Sequence, residues 1–267
     1  MVQKPVAQKP VPHKSSGAIY PDLVGKSVVV TGGGSGIGAA IVRAFARQHA
    51  RVGFIDIAEA PSQALIAELA NAKTELRFVK ADIRDIDALR AGIAALTDAL
   101  GAADILINNA ANDERHQTAD VTPEMFDERI AVNLRHAFFA AQAVLPGMQA
   151  KGGGAIVNFS SMSWMAGMGG MAIYTAAKSA MIGLTRSLAR DYGPYNIRVN
   201  AIAPGWVKTE RQLARWLTPE GDQQRLAAQC LKRWVEPEDI ARFCVFLSSD
   251  EASACTAQHY VVDAGWV

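Results

Sequence analysis

Tyr174 and Lys178 stand four residues apart in the run Tyr174-Thr175-Ala176-Ala177-Lys178. If that run opens a helix, phenol and amine share one face. A tyrosine with an ordinary pKa of about 10 is a poor base at neutral pH. A neighbouring ammonium, together with the positive charge of an oxidised nicotinamide, would favour the phenolate and lower that pKa. Tyr174 could then take a hydroxyl proton as hydride leaves the same carbon, and in reverse protonate the forming alkoxide. Ser161 lies thirteen residues before the tyrosine, just after an apolar run, where a hydroxyl could hold the substrate oxygen. Its neighbour Ser160 is the alternative. Asn133 is an amide within the apolar stretch Ala131-Val132-Asn133-Leu134. Buried, it needs partners, which could be a water linked to Lys178 or a neighbouring carbonyl.

A second constellation points to a dinucleotide. Residues 31–38 read Thr-Gly-Gly-Gly-Ser-Gly-Ile-Gly, between a strand pattern and a helix pattern. Glycine there permits positive φ and lets the backbone approach a pyrophosphate lying on a helix N-terminus. Gly32, Ser35, Gly36, Ile37 and Gly38 are the candidate contacts. The next strand ends on Asp56, whose carboxylate can accept from both ribose hydroxyls and repels a 2′-phosphate. The glycine loop carries no Arg or Lys to neutralise such a phosphate, so the pattern favours NAD over NADP. Asp82 with Ile83, after the third strand, could meet the adenine amino group. A helix N-cap is the competing role for Asp82.

These groups need a frame. Short apolar runs alternate with longer amphipathic stretches: strands are expected near residues 28–30, 52–57, 76–79, 105–107, 155–159, 198–202 and 260–262. Helices are expected over 37–50, 62–70, 85–100, 123–150 as a long pair, 174–192 and 237–247, with an irregular helical segment near 210–217. Alternating β and α elements with continuous apolar strands mean a parallel sheet covered on both faces. The expectation is an α/β fold, one doubly wound Rossmann-type domain of about seven strands. Ligands of such sheets bind at the carboxyl ends of the strands, where Ser161 falls.

Composition narrows the class. The formal net charge is +1, so no global field favours nucleic acid or an anionic membrane. The three cysteines, Cys230, Cys244 and Cys255, form no C-x-x-C pair and suit neither a disulfide framework nor a zinc site. Reduced cysteines fit a cytoplasmic protein, and no metal is expected. No apolar run approaches the roughly 18 residues of a membrane span. Residues 1–19, rich in proline and lysine, read as a disordered leader to a single domain over 20–267.

Taken together, the motifs resemble the short-chain dehydrogenase/reductase family over essentially residues 24–267. The chain matches its T-G-x-x-x-G-x-G loop and its N-N-A-G segment (Asn108-Asn109-Ala110, with Ala111 replacing the usual glycine). It also matches the helical Asn133, the Ser161–Tyr174 spacing, the Y-x-x-x-K pair and the Pro204-Gly205 segment. The resemblance implies a catalytic tetrad of Asn133, Ser161, Tyr174 and Lys178, with Lys178 also bonding the nicotinamide ribose. It implies that Asn109, Ala110, Pro204 and Gly205 line the cofactor, that Val207 meets the carboxamide through its backbone, and that Thr209 lies near the pyrophosphate. It also implies a homotetramer with residues 132–148 and 173–192 at the main interface. Ala111 should cause a modest loop shift.

Residues 112–116, 208–212 and 262–266, with Trp164, resemble the sugar-oxidising branch, the aldose 1-dehydrogenases of D-xylose or D-galactose type. That branch oxidises an anomeric hydroxyl to a lactone, which hydrolyses to an aldonic acid. A pyranose pocket should offer planar polar side chains and an aromatic platform. Asn112, Arg115, His116 and Arg211 could supply the former, Trp164 or Trp216 the latter. Arg115 and Arg211 as solvated loop charges, His116 as a loop-orienting residue and Trp216 as an interface residue are the competing roles. Another alcohol or carbonyl specificity, such as a 3-oxoacyl thioester, a polyol or a steroid, is the alternative function. A sensor without turnover would be expected to have lost Tyr174 or Lys178.

Overall fold

The computed structural model describes residues 17–267. Most of the segment read as a leader therefore lies outside the described residues. At its described end the Gln48 amide donates to the Ala18 carbonyl at 2.9 Å and accepts from the Tyr20 N–H at 2.8 Å.

Among the described residues, seven strands form one all-parallel sheet: β1 Ser27–Thr31, β2 Arg51–Asp56, β3 Leu76–Lys80, β4 Ile105–Asn108, β5 Gly154–Phe159, β6 Ile197–Pro204 and β7 His259–Val262. Their spatial order is β3-β2-β1-β4-β5-β6-β7. The chain winds outward from β1 in one direction, returns to β4 and winds outward in the other, so the switch point lies between β1 and β4. A crevice opens there at the carboxyl ends. Helices α1 Gly36–Arg47, α2 Glu59–Glu68, α3 Ile86–Leu100, α4 Pro123–Ile130, α5 His136–Lys151, α6 Ala172–Tyr192, α7 Glu210–Arg215, α8 Pro219–Ala228 and α9 Pro237–Ser248 complete the fold.

The apolar strands bury both faces, as their sequence demands. Val28 and Val30 point to one side, where Ile41 and Phe45 of α1 and Ile240 and Cys244 of α9 pack against them. Val29 points to the other with Leu106 and Ile156, under Leu89 and Ile93 of α3 and Val144 of α5. The alternation follows from the two-residue period of a strand.

Several boundaries differ from the sequence reading, each for a local reason. α2 begins earlier than position 62 because Glu59 and Pro61 suit a helix's first turn. Asp85 caps α3, its carboxylate accepting from the N–H groups of Asp87 and Ala88 at 3.0 and 3.1 Å. The segment 123–150 is two helices joined by a π-turn, Ala131–Arg135, a wider coil that periodicity cannot reveal. The irregular segment near 210–217 is α7, and α8, which follows it, has too weak an apolar face to be seen in sequence. Among the described residues, no helix is long and apolar enough to cross a membrane.

Leu106→Ala, at a site with no exposure in the sheet centre, should cost about 2–5 kcal/mol of stability. Val24→Ala, at 56% exposure, should change it by less than about 0.5 kcal/mol. Chemical denaturation of both variants checks the contrast.

Candidate active site

A cleft of about 930 Å³ runs along the carboxyl ends of the strands. Its floor at one end is the β1–α1 loop. A Cβ on Gly38 would run into the Gly32 carbonyl oxygen, and one on Gly32 would come within 2.8 Å of the Ala110 Cα. Only glycine fits this crossing of loop and helix, and the bare backbone is left facing the cleft. Ser35 precedes α1 without a side-chain cap bond. The N–H groups of the first turn, at Gly36, Ile37 and Gly38, are therefore placed for an anion at the positive end of a helix. Asn109 fastens the loop, donating to the carbonyls of Thr31 and Gly32 at 3.2 and 2.8 Å. The Ala110 N–H donates to the Thr31 hydroxyl at 3.2 Å.

Asp56 ends β2 at the cleft wall. Its carboxylate accepts from the N–H groups of Gly34 and Ala58, both at 2.8 Å. It thus ties the glycine loop to the strand end and keeps lone pairs for a ligand. Asp82 and Ile83 line the same cleft. The Asp82 carboxylate is gripped by the Arg84 guanidinium at 2.6 and 3.0 Å, which holds its pKa below the usual range. Capping of α3 falls to Asp85 instead. Arg43, unforeseen in sequence, also lines the cleft, but Glu68 takes its guanidinium in a two-pronged bond at 2.7 and 2.6 Å. At the far wall Pro204 ends β6, and the Gly205 N–H donates to Val262 at 2.9 Å. Val207 is buried and bridges Val235, while Thr209 caps α7 by accepting from the Gln212 N–H at 3.3 Å. The glycine cradle, the uncapped first turn and Asp56 fit a nicotinamide dinucleotide.

The chemical groups meet at the end of β5. Lys178 is 1% exposed and donates to the Phe159 carbonyl at 2.8 Å. Its amine lies 5.7 Å from the centre of the Tyr174 ring. The Ser161 hydroxyl acts on the Tyr174 phenol, opposing the rise in its pKa, and accepts from the Ser163 N–H at 3.1 Å. Ser160 is engaged elsewhere, since its hydroxyl donates to the Lys178 carbonyl at 2.6 Å and accepts from the Trp164 indole at 3.3 Å. Ser161, not Ser160, is the serine that acts on the tyrosine in this structure.

The proton affinities run against the sequence reading. Burial pushes Tyr174 up to about 12, with Asp113 adding to the rise and Ser161 and Arg115 opposing it. Burial pulls Lys178 down to about 7, against a weaker opposing pull from Asp113. In the protein alone the phenol is therefore less acidic than usual, because desolvation outweighs every nearby cation. Asn133, fully buried in the π-turn, bonds Asn112 at both ends of its amide. Its oxygen accepts from the Asn112 N–H at 2.9 Å and its nitrogen donates to the Asn112 carbonyl at 3.0 Å. The neighbouring-carbonyl alternative holds here, and the clamp places the start of the loop after β4.

That loop forms the rim with α7. Arg211 is bound by Asn112 at 2.9 Å, Asp113 at 3.2 Å and Glu114 at 3.3 Å, and Arg215 by Glu114 at 2.8 Å. Gln212 donates to Asp113 at 2.5 Å and accepts from the Trp206 indole at 2.8 Å. Arg211, exposed at the mouth of the cleft, is held by these acids and latches loop to helix. The Arg115 guanidinium stacks on Trp216 at 5.2 Å. Arg115 Nε, both His116 ring nitrogens and the Trp216 indole nitrogen are buried with no partner among the described residues. Trp164 is turned toward His259, 6.5 Å between rings, so Trp216 is the aromatic beside the polar groups. Asp113 and Gln212 lie in the stretches that carried the sugar-branch resemblance but were given no role there, Arg215 lay outside them, and only proximity in space shows the latch.

A family model described as enoyl-(acyl carrier protein) reductase matches residues 32–267. D-xylose 1-dehydrogenase of Caulobacter vibrioides is 51% identical over 94% of this chain and 99% of its own. The "Probable galactose dehydrogenase GalD" of Rhizobium meliloti is 49% identical over 92% and 96%. A solved 7α-hydroxysteroid dehydrogenase, complexed with NADH and 7-oxo glycochenodeoxycholic acid, superposes with a TM-score of 0.88 at 33% identity, covering 92% of this chain and 96% of its own. A metagenomic blue fluorescent protein in complex with NADPH does so at 0.86 and 33%, covering 92% and 99%.

The depressed amine makes a prediction with a definite sign. Its pKa falls from 10.5 to about 7 on burial, so between those values the unfolded chain binds the extra proton. Lys178→Met removes this burden, and its gain in melting temperature over the parent should be largest at and below pH 7. The gain should shrink toward pH 10.5, where neither state is charged. Melting curves across that range check it, and a gain independent of pH would contradict the buried charge.

Proposed function

Since the chain belongs to the short-chain dehydrogenase/reductase family, we propose that it oxidises the anomeric hydroxyl of an aldose to the lactone with NAD as hydride acceptor. The observation that carries this is Tyr174 on the cleft wall, with Ser161 acting on its phenol and the buried Lys178 amine 5.7 Å from its ring. The likeness to D-xylose 1-dehydrogenase across nearly the whole chain supports the sugar.

Ser161 holds the substrate oxygen, and Tyr174 takes its proton. When bound, the nicotinamide supplies the hydride acceptor, so loss of a proton and a hydride leaves the C1–O bond as a carbonyl. Lys178 stabilises the phenolate as an ammonium and reaches the ribose. Asn133 acts through Asn112, fixing the loop that carries Asp113, Arg115 and His116. The backbone around Gly32, Gly36 and Gly38 would hold the pyrophosphate, and Ser35, Ile37, Ala110, Pro204, Gly205, Val207 and Thr209 would line its path.

Asp56 favours NAD, because a 2′-phosphate would face a carboxylate while Arg43 and Arg84 are already paired with acids. The NADH and NADPH complexes of the structural relatives show that the fold admits both cofactors. A homotetramer through α5 and α6 is part of the same reading, and Phe138 on α5, 46% exposed, is apolar surface for such contacts. Three unpaired cysteines suit a reducing cytoplasm.

A panel of aldoses, polyols, hydroxysteroids and secondary alcohols with NAD and NADP, followed by nicotinamide absorbance, tests the reading. Aldose-dependent signal with NAD is expected, and turnover confined to the other alcohols would overturn it. Tyr174→Phe should lower kcat by at least about 10²-fold with the dinucleotide Kd nearly unchanged. Asp56→Ala should narrow the ratio of NAD to NADP kcat/KM, and an unaltered ratio would refute that assignment.

A further inference from the structure

His136 is fully buried in the first turn of α5, one turn after Asn133. Neither the proton transfer nor the hydride transfer uses it. Its ring lies against the carbonyls of Ala131 and Val132, which the π-turn exposes. Neither ring nitrogen makes a regular hydrogen bond among the described residues. The one charged group acting on it is Lys178, from α6, which packs against the π-turn. Lys178 in turn has three N–H donors, and one goes to Phe159. Close by, the Asn108 side chain donates to the Ala137 carbonyl at 3.3 Å and to the Asn158 oxygen at 2.8 Å. Its own oxygen is buried without a partner. An amine with spare donors and an imidazole with a spare lone pair thus lie buried around the carboxyl ends of β4 and β5, where Asn108 and Phe159 tie α5 and α6 to the sheet.

We propose that His136 is a positioning residue for Lys178, its imidazole turned by one N–H toward the π-turn carbonyls and accepting an ammonium proton with the other nitrogen across one water. A neutral imidazole has this donor–acceptor pair, and which nitrogen accepts is fixed by the bond made by the other. Burial and the nearby ammonium both oppose protonation of His136, which holds its pKa at about 3. The ring therefore stays neutral, and an acceptor, wherever Lys178 titrates. Asp113 from the loop after β4 is the other group acting on the amine, and Tyr174 shares its helix. An acceptor for the ammonium raises the lysine's pKa, opposing the desolvation that lowers it. The inference rests on Tyr174 and Lys178 being the acid–base pair, but not on which alcohol they oxidise.

The test is a proton titration of the full-length chain labelled with ¹³Cε-lysine, with Lys178→Met assigning the resonance. In His136→Leu the Lys178 midpoint should fall by about one pH unit, and in His136→Gln, which keeps an acceptor oxygen, it should return most of the way. In turnover, His136→Leu should lower kcat on the order of tenfold and narrow its pH profile from both sides, with little change in KM or dinucleotide Kd. His136→Gln should recover the profile. A Lys178 midpoint unmoved in His136→Leu, or a Gln variant that behaves like Leu, would overturn the proposal. Should His136→Leu not fold, the ¹⁵N shifts of His136 in the parent chain decide. The proposal requires one ring nitrogen to respond as Lys178 titrates, and insensitivity sinks it. The lysine and histidine resonances need no turnover, so failure of the sugar reading would leave these readouts intact.

Discussion

The site is governed by the burial of one amine. Lys178 sits at 1% exposure beneath the ends of β4 and β5, and desolvation pulls its pKa to about 7. The same burial pushes the adjacent phenol to about 12. The ammonium of one and the phenolate of the other therefore belong to opposite ends of the pH scale in the protein alone. Any group that accepts from the amine or favours the phenolate narrows that gap. The Phe159 carbonyl does the first and the Ser161 hydroxyl the second. Both sit at the carboxyl end of β5, so the strand that fixes one partner also fixes the other. A dry site makes each such bond stronger than it would be in water, which is why so few are needed.

Asp113 connects this chemistry to the rim. It acts on both Tyr174 and Lys178, raising the affinity of each for its proton. It is also the residue that Arg211 and Gln212 hold from α7. With the latch made, the neighbouring guanidinium offsets the charge of Asp113; with it broken, the carboxylate faces the pair alone. The position of α7 thus enters the electrostatics of the acid–base pair, and Asn133 sets the other end of the same loop through its clamp on Asn112. The π-turn matters here because its wider coil presents Asn133 and His136 to different neighbours.

Most of the frame was legible in the sequence. Continuous apolar strands such as Val28-Val29-Val30, alternating with amphipathic helices, admit few arrangements other than a parallel sheet covered on both faces. The glycine loop and Asp56 were legible because each meets a local backbone constraint. Tyr174, Lys178 and Ser161 were legible by spacing, yet the direction of the tyrosine's shift was not. It depends on desolvation, a property of the assembled interior, and a sequence shows only the nearby charge. Arg211 read as a ligand group because an arginine's partners cannot be seen until the chain folds; its acids lie about a hundred positions away. The choice between Trp164 and Trp216 failed to resolve for the same reason, since the Ser160 hydroxyl that engages Trp164 is itself placed by β5.

The pattern of satisfied and unsatisfied groups around the cleft bears on what it selects. Arg211, Arg215, Arg84 and Arg43 are all spent on acids of the chain. They offer no free charge to a carboxylate or phosphate on the substrate. Arg115, His116 and Trp216 instead hold buried nitrogens with no partner among the described residues. A buried polar group without a partner costs about 1–3 kcal/mol, and a ligand that provides one recovers it. A flat apolar ligand cannot do so, whereas a polyhydroxy ring brings donors and acceptors together with an apolar face for Trp216. A site built to bond hydroxyls also rejects analogues lacking them far more strongly than an apolar pocket rejects an extra methylene. On the proposed reading, selectivity for a sugar arises less from the tetrad, which treats any secondary alcohol alike, than from these three side chains. The latch contributes by keeping the remaining arginines out of the competition.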